Sequence, residues 1–216
     1  STDAADGINR FNYAGVSADG RRNLDAYLKS LSDTDPRNLR RAEQMPYWIN
    51  LYNALTVQVV LQHYPVQTIR KINGGWFNTG PWDDSLIEVQ GQELTLNDIE
   101  HRILRSIWRD PRIHYVVNCA SMGCPNLAAS IYTAANAESM FNQAAKNFIN
   151  HSRGVAFVDG KLRLSSIYNW YDVDFGSNQA ERLTHLEKYA EPELATQLAG
   201  YDGKIKYDYN WDLNQW

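Results

Sequence analysis

Cys119 and Cys124 are the chain's two cysteines, set in the run Ile113-His114-Tyr115-Val116-Val117-Asn118-Cys119-Ala120-Ser121-Met122-Gly123-Cys124-Pro125. A Gly-bearing loop separates the thiols. Proline is favoured at the first position of a helix, so Cys124 before Pro125 reads as a helix N-cap, where amide donors and the helix dipole favour a thiolate. Cys119 reads as the end of a strand. There its sulfur would face a cleft rim, with Asn118 or the loop amides donating to an oxyanion. Either sulfur could be the nucleophile, and Cys124 is the preferred one. Against both stands the ordinary behaviour of a free cysteine, which is to be buried as a small hydrophobe. A local disulfide is a further option, provided the loop brings the two Cα atoms to roughly 4.4–6.8 Å.

A thiol nucleophile needs a base and a group that orients the base. His101 and His114 precede the cysteines closely and are the candidate bases, whereas His63, His151 and His185 read as helix or loop surface positions. Glu100 is the candidate orienter. On a helix over 96–108 it falls within the apolar stripe of Leu96, Ile99, Ile103, Leu104 and Ile107, while His101 falls on the polar flank. A carboxylate turned inward must find a partner, because an unpaired buried charge costs several kcal/mol. The partners foreseen are Asn50, Asn53, an arginine such as Arg105 or Arg112, the 121–123 amides, or a histidine. Asn50 and Asn53 lie on one face of an apolar helix, where they either tie down loops or line a site. Trp76, Trp82 and Trp170 are candidates to flank a substrate groove. Cys119, Cys124, His101 and His114 could supply four soft metal ligands, but their spacing matches no recognised site, so neither metal nor cofactor is expected.

These residues must be positioned by the elements around them. Leu24, Tyr27, Leu28 and Leu31 predict a surface helix over 21–31. A second helix is predicted over 37–62, interrupted or restarted near Pro46. Its part over 47–62 is apolar on nearly every face and so must lie buried at the centre. The segment 69–89 reads as a long loop with short strands. Thr95 and Asp98 form a capping-box-like helix start. Residues 113–119 read as a buried strand, Thr133 caps a helix to Phe148, and Asp159-Gly160 marks a hairpin over 155–164. A helix over 181–189 follows, and 204–216 alternates enough to offer an edge strand. The expected fold is α+β, one domain over 1–216, with five or six helices around the central helix and a small, mostly antiparallel sheet that includes 113–119 and the hairpin.

With 44% hydrophobic and 21% charged residues the chain is neither disordered nor fibrous, and its formal charge of -4 argues against a nucleic-acid partner. No apolar run is long enough for a transmembrane segment. Seven Trp and thirteen Tyr suit either core packing or a peptide or glycan groove.

Several strings taken together, Tyr47-Trp48-Ile49-Asn50-Leu51-Tyr52-Asn53-Ala54-Leu55-Thr56, 97–105, 113–125, Ser165-Ser166-Ile167-Tyr168-Asn169-Trp170, Asp174-Phe175-Gly176 and 209–214, resemble the bacterial form of the "domain of unknown function 547" family. That resemblance covers nearly the whole chain and implies a fold more than a chemistry. It also implies a periplasmic or secreted location, since bacterial members are frequently exported. The order of His before Cys is similar to that of circularly permuted papain-like hydrolases. The leading functional expectation is a cysteine-dependent hydrolase or acyl transferase acting on an amide or thioester of a small molecule, peptide or glycan. The rivals are a non-catalytic peptide- or glycan-binding module with an aromatic groove and a thiol/disulfide redox protein.

Overall fold

A computed structural model describes residues 5–73 and 80–216. It is an α+β structure built on one long central helix. Helix α1, Ala18–Ser32, is capped by the Ser17 hydroxyl, which accepts from the Gly20 amide. Helix α2, Arg41–His63, follows a single 3-10 turn, Pro36–Asn38, that breaks the helix expected over 37–62. The break has a local cause: the Asp35 carboxylate caps the short turn, and Glu43 folds back onto the Arg40 amide to start α2 afresh. Pro46 lies within α2. From Met45 to Leu61 the helix is buried on most faces, as its sequence requires. Each fully covered Leu or Val there contributes roughly 1.5–3 kcal/mol relative to exposure.

Strands β1, Ile87–Val89, and β2, Gln92–Leu94, form a two-stranded antiparallel hairpin. Helix α3 begins at the reciprocal Thr95–Asp98 box, in which the Asp98 amide donates to Thr95 Oγ1 and the Thr95 amide to Asp98 Oδ2. It runs as a wide π-helix, Asp98–Arg105, and tightens into an α turn at Ser106–Trp108. Such widened turns recur at functional sites.

Residues 113–119, expected as a strand, are instead the short helix α4, Ile113–Val116, followed by irregular chain. The β-branched run misleads because Asp110 and Pro111 wind the backbone first: the Ile113 amide donates to the Asp110 carbonyl and His114 to that of Pro111. Beyond Val117 the amides of Asn118 and Cys119 donate to Asn53 Oδ1 and Cys124 Sγ, so no sheet ladder can form. The small sheet therefore does not include this segment.

Helix α5 is Ala137–Ile149. Strands β3, Val155–Val158, and β4, Lys161–Ser165, pair antiparallel across Asp159-Gly160, both at positive φ as a type I′ turn demands. Helices α6, Ile167–Trp170, α7, Asp172–Phe175, α8, Gln179–Glu187, and α9, Pro192–Leu198, precede β5, Lys206–Asp208, which adds to β4 in parallel. Helix α4 lies at a seam. Ile113 and Val116 pack into the core around α2, while Tyr115 packs into a second core formed by α5, β3, β4 and the helices after them.

Candidate functional site

Two distant parts of the chain, α2 and the tail, brace the thiol loop. Asn53 on α2 reaches it with both ends of its amide: Nδ2 donates to the Val116 carbonyl at 2.9 Å, and Oδ1 accepts from the Asn118 amide at 2.8 Å. Asn118 does the same within the loop, donating to the Pro125 carbonyl at 2.7 Å and accepting from the Ala120 amide at 2.8 Å. The tail supplies the other brace. Met122 and Gly123 amides donate to the Asp212 and Asn210 carbonyls, each at 2.8 Å. A side chain at Gly123 would meet the Asn210 backbone at 2.8 Å, so glycine is required for the approach. Ala120, directly after Cys119, is held at φ +57°, a left-handed conformation costly for a residue with a side chain.

This accounting corrects two expectations. Asn118 and the amides of 120 and 122–124 are already engaged, so the oxyanion role foreseen for them is taken up by loop structure. Cys124 does not cap a helix: the chain after Pro125 is irregular, and the next helix starts at Ala137. The Pro125 carbonyl, which would have opened that helix, is bound by Asn118 instead.

The thiols lie 3.2 Å apart, both free. Cys124 is buried and Cys119 is partly exposed to a cavity of about 450 Å³. Hydrogen bonding from Cys124 brings the Cys119 thiol down to about 7; burial opposes this, while Ser121 at 3.1 Å and the Tyr209 phenol at 3.0 Å assist it. Burial, with Cys119 beside it, pushes Cys124 the other way, well above an ordinary thiol. Cys119 is thus the sulfur suited to ionise. Burial also holds the Tyr209 phenol above its usual range, which keeps it an O–H donor.

His114 on α4 lines the same cavity. Its Nε2 is 2.6 Å from Asp174 Oδ2, its ring stacks on Tyr171 with centroids 4.2 Å apart, and its Nδ1 lies 3.9 Å from Glu100 Oε1. Burial alone would raise the Asp174 carboxyl, but His114 and the Arg105 guanidinium, at 2.5 Å, bring it to about 2. Glu100 is buried as its phase implies, and of the foreseen partners it meets the histidine; Tyr52, which was not foreseen, donates to its Oε2 at 2.9 Å. Thiol and imidazole line one cavity without a direct hydrogen bond: Cys119 Sγ meets Cys124, Ser121 and Tyr209, and His114 meets Asp174 and Glu100.

The remaining candidates divide. Trp82 and Trp170 line the cavity with Tyr171, Tyr209 and Trp211. Trp76 lies outside the described residues. Asn50 clamps Tyr132, accepting from its amide and donating to its carbonyl, and neither Asn50 nor Asn53 lines this cavity. His101 Nδ1 sits 3.1 Å from Arg105 Nη1 in a separate groove. Sequence reasoning missed Asp174, Tyr171, Tyr209 and Ser121 as site residues. The strings at 174–176 and 209–214 were the signals that could have found Asp174 and Tyr209. Among the described residues no group of three or more His, Cys, Asp or Glu side chains is disposed to hold a metal ion, and no helix is long and apolar enough to cross a membrane.

An α+β chain with paired thiols lining an aromatic-walled cavity is the class of protein these features define. The chain belongs to the family described as protein of unknown function, DUF547, whose model matches residues 36–149. No curated protein and no solved structure matches it. The matched span carries Glu100, His114 and both cysteines, while Asp174, Trp170, Tyr209 and Trp211 come from the sequence after it.

Proposed function

We propose that the chain is a cysteine-dependent hydrolase or acyl transferase acting on an amide or thioester, with Cys119 as nucleophile. The observation that carries this reading is the shared cavity: a partly exposed thiol brought to about 7 faces the same space as a histidine held at Nε2 by a carboxylate. In the first step the Cys119 proton passes to His114, the thiolate attacks the carbonyl carbon, and the carbonyl π-electrons move to oxygen. The tetrahedral centre then collapses, expelling an amine or thiolate that takes a proton from His114. Asp174 is a positioning residue that fixes the imidazole so that Nδ1 turns toward Glu100 and the cavity. In the second step water, or an acceptor amine or thiol, attacks the acyl-Cys119 thioester and gives its proton to the neutral His114, which returns it to the departing Cys119 sulfur. Apo geometry need not show the thiol–imidazole contact, because such bonds often tighten only when substrate is bound.

Incubation with activated thioesters and anilides, followed by intact-mass analysis, tests the proposal. A single acyl adduct on Cys119, absent in Cys119→Ser and accumulating in His114→Gln, is expected. No adduct on Cys119 with any donor, in a protein whose thiol still alkylates, would overturn it.

A second reading has its own support in the 3.2 Å sulfur separation and the opposite shifts of the thiols, a pattern that suits disulfide exchange. Cys119 would attack an external disulfide, and Cys124 would then displace the mixed disulfide, leaving an intramolecular bond and releasing the reduced partner. Titration against glutathione, read as the loss of two hydrogens in mass, distinguishes it.

A further inference from the structure

Trp170, Trp211, Tyr171 and Trp82 wall the cavity with aromatic rings, but its charge is uneven. Glu100 and Asp83 contribute carboxylates, and Arg70 is the sole Lys or Arg among the described lining residues. The two carboxylates are engaged: Tyr52 donates to Glu100 at 2.9 Å and Asn97 to Asp83 at 2.7 Å. Arg70 differs. It sits on the single turn Ile69–Lys71, and among the described residues its guanidinium lies over the Trp211 ring, 5.2 Å from the centroid, with no carboxylate beside it. An arginine laid on an aromatic face keeps its donors directed outward in a fixed plane and loses little further freedom when it binds. The Trp211 ring in turn stacks on Trp170 at 5.5 Å and touches Tyr209 at 4.7 Å, and Tyr209 bonds Cys119 Sγ. A line of contact thus runs from the cation to the sulfur.

We propose that Arg70 on Trp211 is an anion subsite, so that the substrate of Cys119 carries a carboxylate at the end away from the reacting carbonyl and an apolar or planar body between. This rests on the thiol-enzyme reading for its reaction but not for its binding. A carboxylate fits better than a phosphate. A single guanidinium fork matches two carboxylate oxygens, and one cation in a cavity that already holds two carboxylates compensates a monoanion, not a dianion. The aromatic walls strengthen the pair by excluding water from one side.

Two aromatic disulfides, the anionic dithiobis(nitrobenzoate) and the neutral dithiodipyridine, serve as probes of reaction with Cys119, since each releases a coloured thiol as the sulfur adds. In Arg70→Met the rate ratio of anionic to neutral reagent should fall about fivefold from that of the unaltered protein, the scale of a partly exposed charge pair. Arg70→Lys should fall between. In parallel, Cys119→Ser is titrated with phenylpropionate and with its neutral amide by tryptophan fluorescence, alone and combined with Arg70→Met. Preference for the acid that disappears with Arg70→Met supports the subsite. An unchanged reagent ratio, or equal binding of acid and amide in Cys119→Ser, overturns it. Failure of both disulfides to react would count against the thiol reading, and the fluorescence titration would still decide the subsite.

Discussion

Helix α4 presents a comparison between two histidines. On one side His114 meets Asp174 at 2.6 Å and stacks on Tyr171 at the wall of an open cavity. On the other side Tyr115 turns into the second core, where its phenol meets His185 Nε2 at 2.8 Å and the rings stack at 5.9 Å. Both imidazoles are substantially covered and hydrogen-bonded, so burial and partnership alone do not mark a site. The partner's charge and the space beside the ring do. Asp174 is an ionised carboxylate that can stabilise an imidazolium as it forms, whereas Tyr115 is a neutral phenol whose pKa burial raises far above its ordinary value. Burial, aided by Lys188, accordingly holds His185 at about 4, a neutral packing group at physiological pH.

The largest effect expected is at the sulfur. Cys119→Ser should abolish rapid iodoacetamide labelling at pH 7, while Cys124→Ala should leave Cys119 reactive but shift its rate-versus-pH midpoint upward from about 7, because its foremost stabilising donor is gone. A midpoint unmoved in Cys124→Ala would break the assignment of the two thiols. Next, His114→Gln should reduce acyl turnover by about 10²–10⁴-fold, the usual worth of a general acid–base group, and Asp174→Asn, which removes the group that positions it, should reduce it by no more than that. His185→Asn should leave turnover intact and lower the melting temperature. If the two histidines exchanged these phenotypes, the comparison would be reversed.

Acid stability sharpens the contrast further. His185 is neutral in the fold down to about 4, while its unfolded form protonates near 6.5. Between those values the unfolded chain holds more protons, so stability falls as pH drops through this window. Asp174 acts lower, its folded value of about 2 lying below 3.8, so the stability it contributes is lost as pH falls from about 4 toward 2. Melting temperature against pH should therefore slope between 6.5 and 4, and His185→Asn should flatten that part alone. The smallest effect is expected at Tyr209→Phe, which removes one of three side-chain donors to Cys119 and should raise its midpoint by less than Cys124→Ala does.

The sequence made parts of this arrangement legible. A helix apolar on every face can only be central, and Glu100 within an apolar stripe can only be inside; both follow from periodicity and the cost of stranding a charge. The Asp159-Gly160 hairpin and the Thr95–Asp98 box are local chemistry that folds the same way in any context. Other parts were not legible, because they depend on partners far along the chain. Val116 and Val117 carry strand-like side chains, yet the amides after them are claimed by Asn53 and by a sulfur, which no window of local sequence reveals. Among the donors that distinguish Cys119 from Cys124 is Tyr209, ninety residues away from Cys119. Asp174 as the partner of His114 rests on a separation of 60 residues.

The tail's brace carries a consequence for how the protein comes into being. Asn214 closes the structure from both directions: its amide donates to the Ala120 carbonyl at 3.0 Å, its side chain accepts from Tyr13 at 2.8 Å, and its carbonyl accepts from the Phe11 amide at 2.8 Å. A chain emerging from the ribosome exposes both thiols nearly a hundred residues before Asn210, Asp212 and Asn214 arrive to shape the loop around them. Contacts of that sequence separation form late. Until they do, Cys119 lacks both the Tyr209 donor and the tail's brace on the loop that sets Cys124 against it, so the thiol's special environment is completed only when the end of the chain has docked.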